Sequence, residues 1–550
     1  MDTRTAQWLT CRTMGLMAKT PSAVRDVAIV GGGLAGLTLA RQLKLARPTA
    51  DIVVVERGAH PVPEAAFKVG ESTAEMAGHY FGTHLGLRNQ LEERQLIKTG
   101  LRFFFSAGGN RDIALRPEVG HLTLLPTRTF QLDRGRLEND LTEDVRSLGV
   151  EVLEGVRVIG LGAHGGAHVL TVVGRRKGTI AARWVVDASG RPGFLKRQLG
   201  LGRRLDHNVN AAWFRLADRV DVQDWSSDSA WRARLPDGFR WRSTCHLSGR
   251  GYWFWVIALA SGSTSFGLVA DPAWHPLETY NTFDRMLQWL DANEPQAAAE
   301  IGRRRHLLQD FRAFRHFATD CAEVFSPGRW SIVGEAGKFL DPLYSNGSDV
   351  IALENTLTTA LVVADLDGEG SLERRVAIAA DAFDVFFDYG LDLYRGQYGI
   401  FGDALAMTAK SFWDTISYYA VFALLFCQGK YLDLPFLAEM MPAMKRVHDL
   451  NVEVQRGLLA AATTNQQAGA SNPNLAATGS WERDYSMFLS FTRDMVRPMS
   501  EARLRRQIDE NVAFLEGLAA EVVARASGAP SPVPARPAPS PRRLRETSAG

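Results

Sequence analysis

Val27-Ala28-Ile29-Val30-Gly31-Gly32-Gly33-Leu34-Ala35-Gly36 decides the fold of this chain. Four apolar residues in a row suit a strand buried on both faces, as in a parallel sheet. The GxGxxG that follows leads into a helical pattern through Leu37, Leu39, Ala40 and Leu43. In that setting Gly31 makes the tight turn, Gly33 lets a pyrophosphate approach backbone N–H groups, and Gly36 lets helix pack on strand. A second apolar run, Ile52 to Val55, ends in Glu56, twenty residues after Gly36. A carboxylate there accepts the two hydroxyls of an adenosine ribose and disfavours a 2′-phosphate. Strand, glycines, helix and acid together point to a dinucleotide.

A second GxGxxG, Gly160 to Gly165, lies between strand-like segments, and the next ones run His168 to Val173 and Ile180 to Val186. With no helix N-terminus to hold a pyrophosphate, it reads as a glycine-rich hairpin. One dinucleotide site in 550 residues favours a tightly held FAD over an exchanging nicotinamide.

Composition bounds the remaining classes. Hydrophobic residues make up 46% and charged residues 23%, which is ordinary for a globular protein. A formal net charge of +2 gives no electrostatic footprint for nucleic acid. Cys11, Cys245, Cys321 and Cys427 stand far apart, so neither a metal site nor a disulfide framework is expected, and a reduced, cytoplasmic protein is. No run reaches the ~18–20 apolar residues of a spanning helix. The nearest, Ile416 to Cys427, reads as a buried helix.

Two further landmarks accompany the fingerprint. Trp184-Val185-Val186-Asp187-Ala188-Ser189-Gly190 is a strand ending in an Asp-Ala-Ser-Gly turn. Ser331-Ile332-Val333-Gly334-Glu335-Ala336-Gly337 runs on to Asp341-Pro342-Leu343-Tyr344-Ser345-Asn346-Gly347 and then a helical stretch. With Gln131 to Leu137, these resemble the large flavoprotein monooxygenase superfamily. The resemblance implies that Arg134 faces the flavin, that Asp187 lies near the cofactor, and that the segment of Glu335 and Asp341 contacts it. Glu335 stands where that superfamily usually has aspartate.

Trp253-Phe254-Trp255-Val256-Ile257-Ala258 reads as a buried strand with both indoles on one face. Together with Lys68-Val69-Gly70-Glu71-Ser72-Thr73, with Lys98 ahead of Gly100 and Phe103, and with the Asp-Pro loop, it resembles the flavin-dependent halogenases over roughly residues 26–365. That resemblance implies reduced FAD supplied by a separate flavin reductase, O₂ and a halide ion as reactants. It makes Lys98 the catalytic residue, holding hypohalous acid or forming a haloamine. A lysine in such a dry pocket would have a lowered pKa. Asn346 and Gly347 become the halide site, and Trp253 and Trp255 the partition between flavin and substrate. Ala258 ends the strand where the family has proline.

Tryptophan-halogenating relatives carry a glutamate at the loop position occupied here by Tyr344, so the expected substrate is an electron-rich phenol or pyrrole, free or bound to a carrier protein. Asp349, His79 and Glu71 are candidate bases. An aromatic hydroxylase and a non-catalytic FAD-binding protein remain open as alternatives.

The expected fold is α/β. A Rossmann-like FAD-binding domain would be assembled from residues 24–200 and 325–367, with a β-rich substrate domain inserted at 201–324. A helical C-terminal region would cover 368–527, with a disordered extension at 1–23 and a Pro-rich disordered tail at 528–550.

Overall fold

The computed structural model describes residues 23–64, 68–467, 472 and 480–528. The expected N-terminal extension and Pro-rich tail lie, but for their innermost residues, outside the described residues.

Two sheets organise the molecule. The first has eight strands built around Val24–Val30, which pairs in parallel with Ile52–Glu56 on one side and Gly178–Asp187 on the other. Glu151–Glu154 extends one edge, and Trp330–Ile332 with Phe325–Ser326 the other. Its central residues Val27 to Val30 and Ile52 to Val55 are buried, as the apolar runs require. Leu34–Ala46 and Gly347–Leu366 pack on this sheet, joined where Asn355 donates to the Ala35 carbonyl and to Thr38. The second GxGxxG lies in an antiparallel hairpin, Val156–His164 with Ala167–Gly174, turning at Gly165 and Gly166, both at positive φ.

The second sheet has seven strands and carries Tyr252–Ala258 between Thr244–Gly249 and Thr264–Ala270. Two of its strands, Leu101–Phe105 and Glu118–Gly120, come from within residues 24–200 rather than from the inserted segment. The second sheet is thus assembled from both stretches of chain. Its faces are distinct. Trp253, Trp255 and Ile257 pack into the main core shared with the nucleotide-type sheet, whereas Tyr252, Phe254 and Val256 pack into a separate core behind. Both indoles share one face, as the period of two dictates.

Beyond residue 368 the chain is helical: Leu372–Asp392, Ala404–Ser417, Leu434–Gln467, Ser480–Val496 and Glu501–Ala526. Residues 416–427 are almost wholly buried helix, π-helical from Tyr418 to Ala423. Among the described residues no helix is long and apolar enough to cross a membrane.

Candidate active site

The glycines divide by what surrounds them. At Gly36 a Cβ would stand 2.0 Å from the Gly31 carbonyl oxygen, and at Gly31, whose φ is +116°, it would stand 2.3 Å from that of Ala188. Both positions exclude side chains because backbone meets backbone. A Cβ on Gly33 would touch nothing within 4 Å. Gly33 caps the helix Leu34–Ala46 without a side-chain hydrogen bond, leaving the first N–H groups open to an anion. Glu56 accepts from the Gly32 N–H at 2.7 Å and the Gly58 N–H at 2.6 Å, which fixes its carboxylate beside that opening. This cradle fits the pyrophosphate and ribose of FAD.

Arg134 begins the helix Arg134–Ser147 and reaches back to the strap before it. It donates to the Val69 and Gly70 carbonyls at 2.7 and 3.3 Å and to Glu138 at 2.9 Å, while its buried Nε has no partner among the described residues. Burial lowers its pKa to about 10, and Glu335 opposes that shift. Glu335 sits on the turn Gly334–Ala336 with Arg191 at 3.9 Å, and burial raises its pKa. An orphaned donor and a partly buried carboxylate that attracts its guanidinium suit the polar edge of a flavin.

Two of the expected cofactor aspartates are otherwise engaged. Asp187 is fully buried and accepts the Ser189 N–H at 2.9 Å and the Leu195 N–H at 2.6 Å. It knots the turn that presses Ala188 against Gly31. Asp341, also fully buried, accepts from the Leu343 N–H, from His207 Nε2 at 3.1 Å and from the Tyr398 hydroxyl. Asp187 thereby holds the turn that follows its strand, and Asp341 holds the Asp-Pro loop.

Lys98 ends the short strand Leu96–Lys98 and is 4% exposed. Its ammonium donates to the Thr73 carbonyl at 2.8 Å and lies 3.5 Å from Ser345 Oγ. Ser345 in turn donates to Ser72 Oγ at 2.9 Å, so strap, lysine and Asp-Pro loop meet at one point. Burial lowers the Lys98 pKa to about 8, against the attraction of Glu75 and Asp349. Ser345 has a φ of +64°, and Asn346 follows at φ −80° and ψ −2° as the uncapped start of the helix Gly347–Leu366. A left-handed residue followed by a right-handed one turns successive N–H groups to one side, an anion nest at a helix N-terminus.

A cavity opens beside this junction, lined by Lys98, Glu75, Asp349, Asn346 and a ring of aromatic residues that includes Tyr344, Phe386, Tyr389, Tyr394, Tyr418 and Tyr419. Asp349 accepts the Ala77 N–H at 2.8 Å and the Tyr418 hydroxyl at 2.7 Å, and burial raises its pKa to about 7. Burial likewise raises that of Glu75, opposed by Lys98. Tyr344 donates to Asp414 at 2.7 Å, and Asp414 is paired with the buried Lys410 at 2.9 Å. Of the candidate bases, only Asp349 borders the cavity. Glu71 is tied to Arg215 at 2.6 Å and Ser265 at 2.7 Å, and His79 packs edge-on against His84. Glu75, which the sequence reading passed over, borders it instead. Its one signal was position, two residues after the strap's last residue.

Trp253 and Trp255 do not line this cavity. Trp253 lies 5.4 Å from the ring of His246, His246 stacks on Phe103 at 4.8 Å, and Phe103 meets the edge of Tyr344 at 6.5 Å. Two rings, His246 and Phe103, thus lie between Trp253 and the cavity residue Tyr344. Phe383, Phe387, Phe412 and Trp413 are core residues, whereas five other aromatic positions of the helical region face the cavity.

Residues 25–264 match the model of an FAD binding domain. A flavin-dependent halogenase of Dictyostelium discoideum is 23% identical over 525 residues, covering 84% of this chain and 82% of that protein. A 1H-pyrrole-2-carbonyl peptidyl-carrier-protein chlorinase of Pseudomonas fluorescens is 27% identical over 231 residues, 40% of this chain and about half (48%) of that protein. Among solved structures, halogenase PltM superposes with a TM-score of 0.60 at 14% identity, covering 88% of this chain and 99% of that one. The brominase Bmp2 gives 0.56 at 19% identity, covering 68% and 87%. These likenesses carry the α/β flavoprotein fold with its helical C-terminal region.

Proposed function

We propose that this chain, an FAD-dependent oxidoreductase related to the flavin-dependent halogenases, halogenates an electron-rich aromatic ring through hypohalous acid relayed by Lys98. One observation carries the reading. The Lys98 ammonium stands between the Asp-Pro loop, 3.5 Å from Ser345 Oγ, and an aromatic cavity that it lines.

Reduced FAD bound in this cradle would supply, with O₂, the two-electron oxidation of chloride or bromide to hypohalous acid. Gly31, Gly33 and Gly36 shape the pyrophosphate cradle, Glu56 takes the ribose, and Arg134 and Glu335 border the flavin ring. Asp187 and Asp341 position the surrounding turns. The N–H groups of Asn346 and Gly347 hold the halide. Lys98 hydrogen-bonds hypohalous acid and aims its halogen at the ring carbon, acting as a point charge in a dry site. Trp253 and Trp255 back the wall that keeps substrate from the flavin.

Phenols and pyrroles activate their own rings, which suits a loop bearing Tyr344 rather than a carboxylate. The cavity's tyrosine lining supports a small aromatic, and the named action of the Pseudomonas chlorinase supports a pyrrole on a carrier protein as one form of it. The reduced cofactor would come from a separate flavin reductase.

The test is incubation with reduced FAD, O₂ and bromide against phenols and against pyrrole-2-carboxylate, free and carrier-tethered. A product heavier by bromine less hydrogen is expected. A product heavier by one oxygen, or peroxide alone, would overturn the reading.

A further inference from the structure

The Asp-Pro loop offers no carboxylate to the cavity, because Tyr344 occupies the position and donates to Asp414. Two carboxylates reach the cavity from elsewhere, Glu75 and Asp349. They are not equivalent. Asp349 has one oxygen on the Ala77 N–H and the other on the Tyr418 hydroxyl, so it pins the helix Glu75–His79 to the helix Gly347–Leu366. Glu75 opens that short helix and borders the cavity, and its carboxylate is bonded within its own helix start and to Tyr419 of the same cavity lining rather than tying two helices together. It is also next to the lysine: Lys98 grips the Thr73 carbonyl, and Glu75 follows two residues on.

We propose that Glu75 is the base that removes the ring proton as the carbon–halogen bond forms. This rests on the halogenase reading of the same cavity. The ring's π electrons form the carbon–halogen bond while the halogen–oxygen bond breaks. The oxygen leaves with that electron pair and takes a proton from the Lys98 ammonium, giving water. The C–H bond at the substituted carbon then breaks, its electrons restore the aromatic ring, and the Glu75 carboxylate takes the proton. In sum, hypohalous acid and arene give haloarene and water. Lys98 is left one proton short and Glu75 one in excess. Passing that proton from carboxylic acid to amine across the cavity resets both groups. A base and an acid that restore each other let the site stay closed to solvent through the ring chemistry.

The test compares wild type, Glu75→Gln and Glu75→Asp with reduced FAD, O₂ and bromide. The substrate is whichever of phenol, resorcinol and pyrrole-2-carboxylic acid the wild type brominates fastest, in ordinary and ring-deuterated form. Hypobromous acid escaping the site is trapped with monochlorodimedone. In wild type, ring-proton loss is fast and deuteration leaves the rate unchanged. In E75Q, proton loss becomes limiting, a primary isotope effect of about 3 or more emerges, and the ratio of trapped hypobromous acid to bromoarene rises on the order of 100-fold. E75D, which keeps a carboxylate, recovers much of both. A ratio and an isotope effect in E75Q equal to those of wild type overturn the role of Glu75 alone. A wild type that yields neither trapped hypobromous acid nor bromoarene overturns the halogenase reading with it.

Discussion

Trp253 donates its indole N–H to the hydroxyl of Tyr398 at 3.2 Å, and that hydroxyl donates onward to the buried carboxylate of Asp341. The tryptophan strand is thereby tied to the Asp-Pro loop through a residue of the helical region, across three distant stretches of chain. The strand's position relative to the Asp-Pro loop is set by this connection as well as by packing.

Removing the middle of that chain exposes its worth. Tyr398→Phe leaves the Trp253 N–H buried without an acceptor and strips one donor from Asp341. Stability is expected to fall by about 1–3 kcal/mol, the cost of an unsatisfied buried group. Chemical denaturation of both proteins measures it, and an unchanged midpoint would show the link to be incidental.

The glycines of the fingerprint make opposed predictions. Gly36→Ala brings a Cβ to 2.0 Å from the Gly31 oxygen, so helix and turn must separate and the fold suffers by several kcal/mol. Gly33→Ala meets no protein atom within 4 Å and has an ordinary φ of −90°, so the variant folds with a melting temperature near wild type. FAD affinity, read by titration of flavin fluorescence, falls about tenfold or more, since the methyl group occupies the pyrophosphate's approach.

Lys98 must carry its proton to donate it. With its pKa lowered to about 8 by burial, the ammonium is present below that pH and lost above it, well before an exposed lysine would titrate. Ring halogenation followed against pH is expected to decline through about pH 8. A rate that holds to pH 10 would contradict the assigned role.

Asp349 links pH to stability rather than to rate. Its folded-state pKa is raised from 3.8 to about 7, so between those values the folded protein binds a proton that the unfolded chain has released. Its contribution is fully present below about pH 4 and is lost as pH rises through about 7. Asp349→Asn removes this dependence. The stability difference between variant and wild type should therefore shift in the variant's favour by about 2–4 kcal/mol between pH 5 and pH 8. Urea denaturation at the two pH values reads it.

Much of the fold was legible because its signals are local. The run Val27 to Val30, the glycines and Glu56 specify one strand–turn–helix–strand unit within thirty residues, and the alternation through Trp253 and Trp255 dictates their shared face. Lys98 and the Asp-Pro loop were readable as residue types, and the structure brings them together at Ser345. What stayed hidden is held by contacts distant in sequence. Nothing local marks Leu101–Phe105 as a strand of the second sheet, since its partner Thr244–Gly249 lies far along the chain. The resemblance implies that Asp187 lies near the cofactor, and nothing local marks its oxygens as acceptors for amides two and eight residues on. The run of rings from Trp253 through His246 and Phe103 to Tyr344 depends on three strands in register. Glu75 has no motif, and its place on the cavity near Lys98 comes from the helix it begins.

The central claim is that Lys98 carries halogen to the ring. Its most direct test is the mass of the products formed by Lys98→Ala beside wild type, with reduced FAD, O₂, bromide and the best aromatic acceptor of the wild type. Bromoarene in wild type and none in K98A, with peroxide still accumulating in the variant, is the predicted result. Bromoarene from K98A at a rate near that of wild type would contradict it.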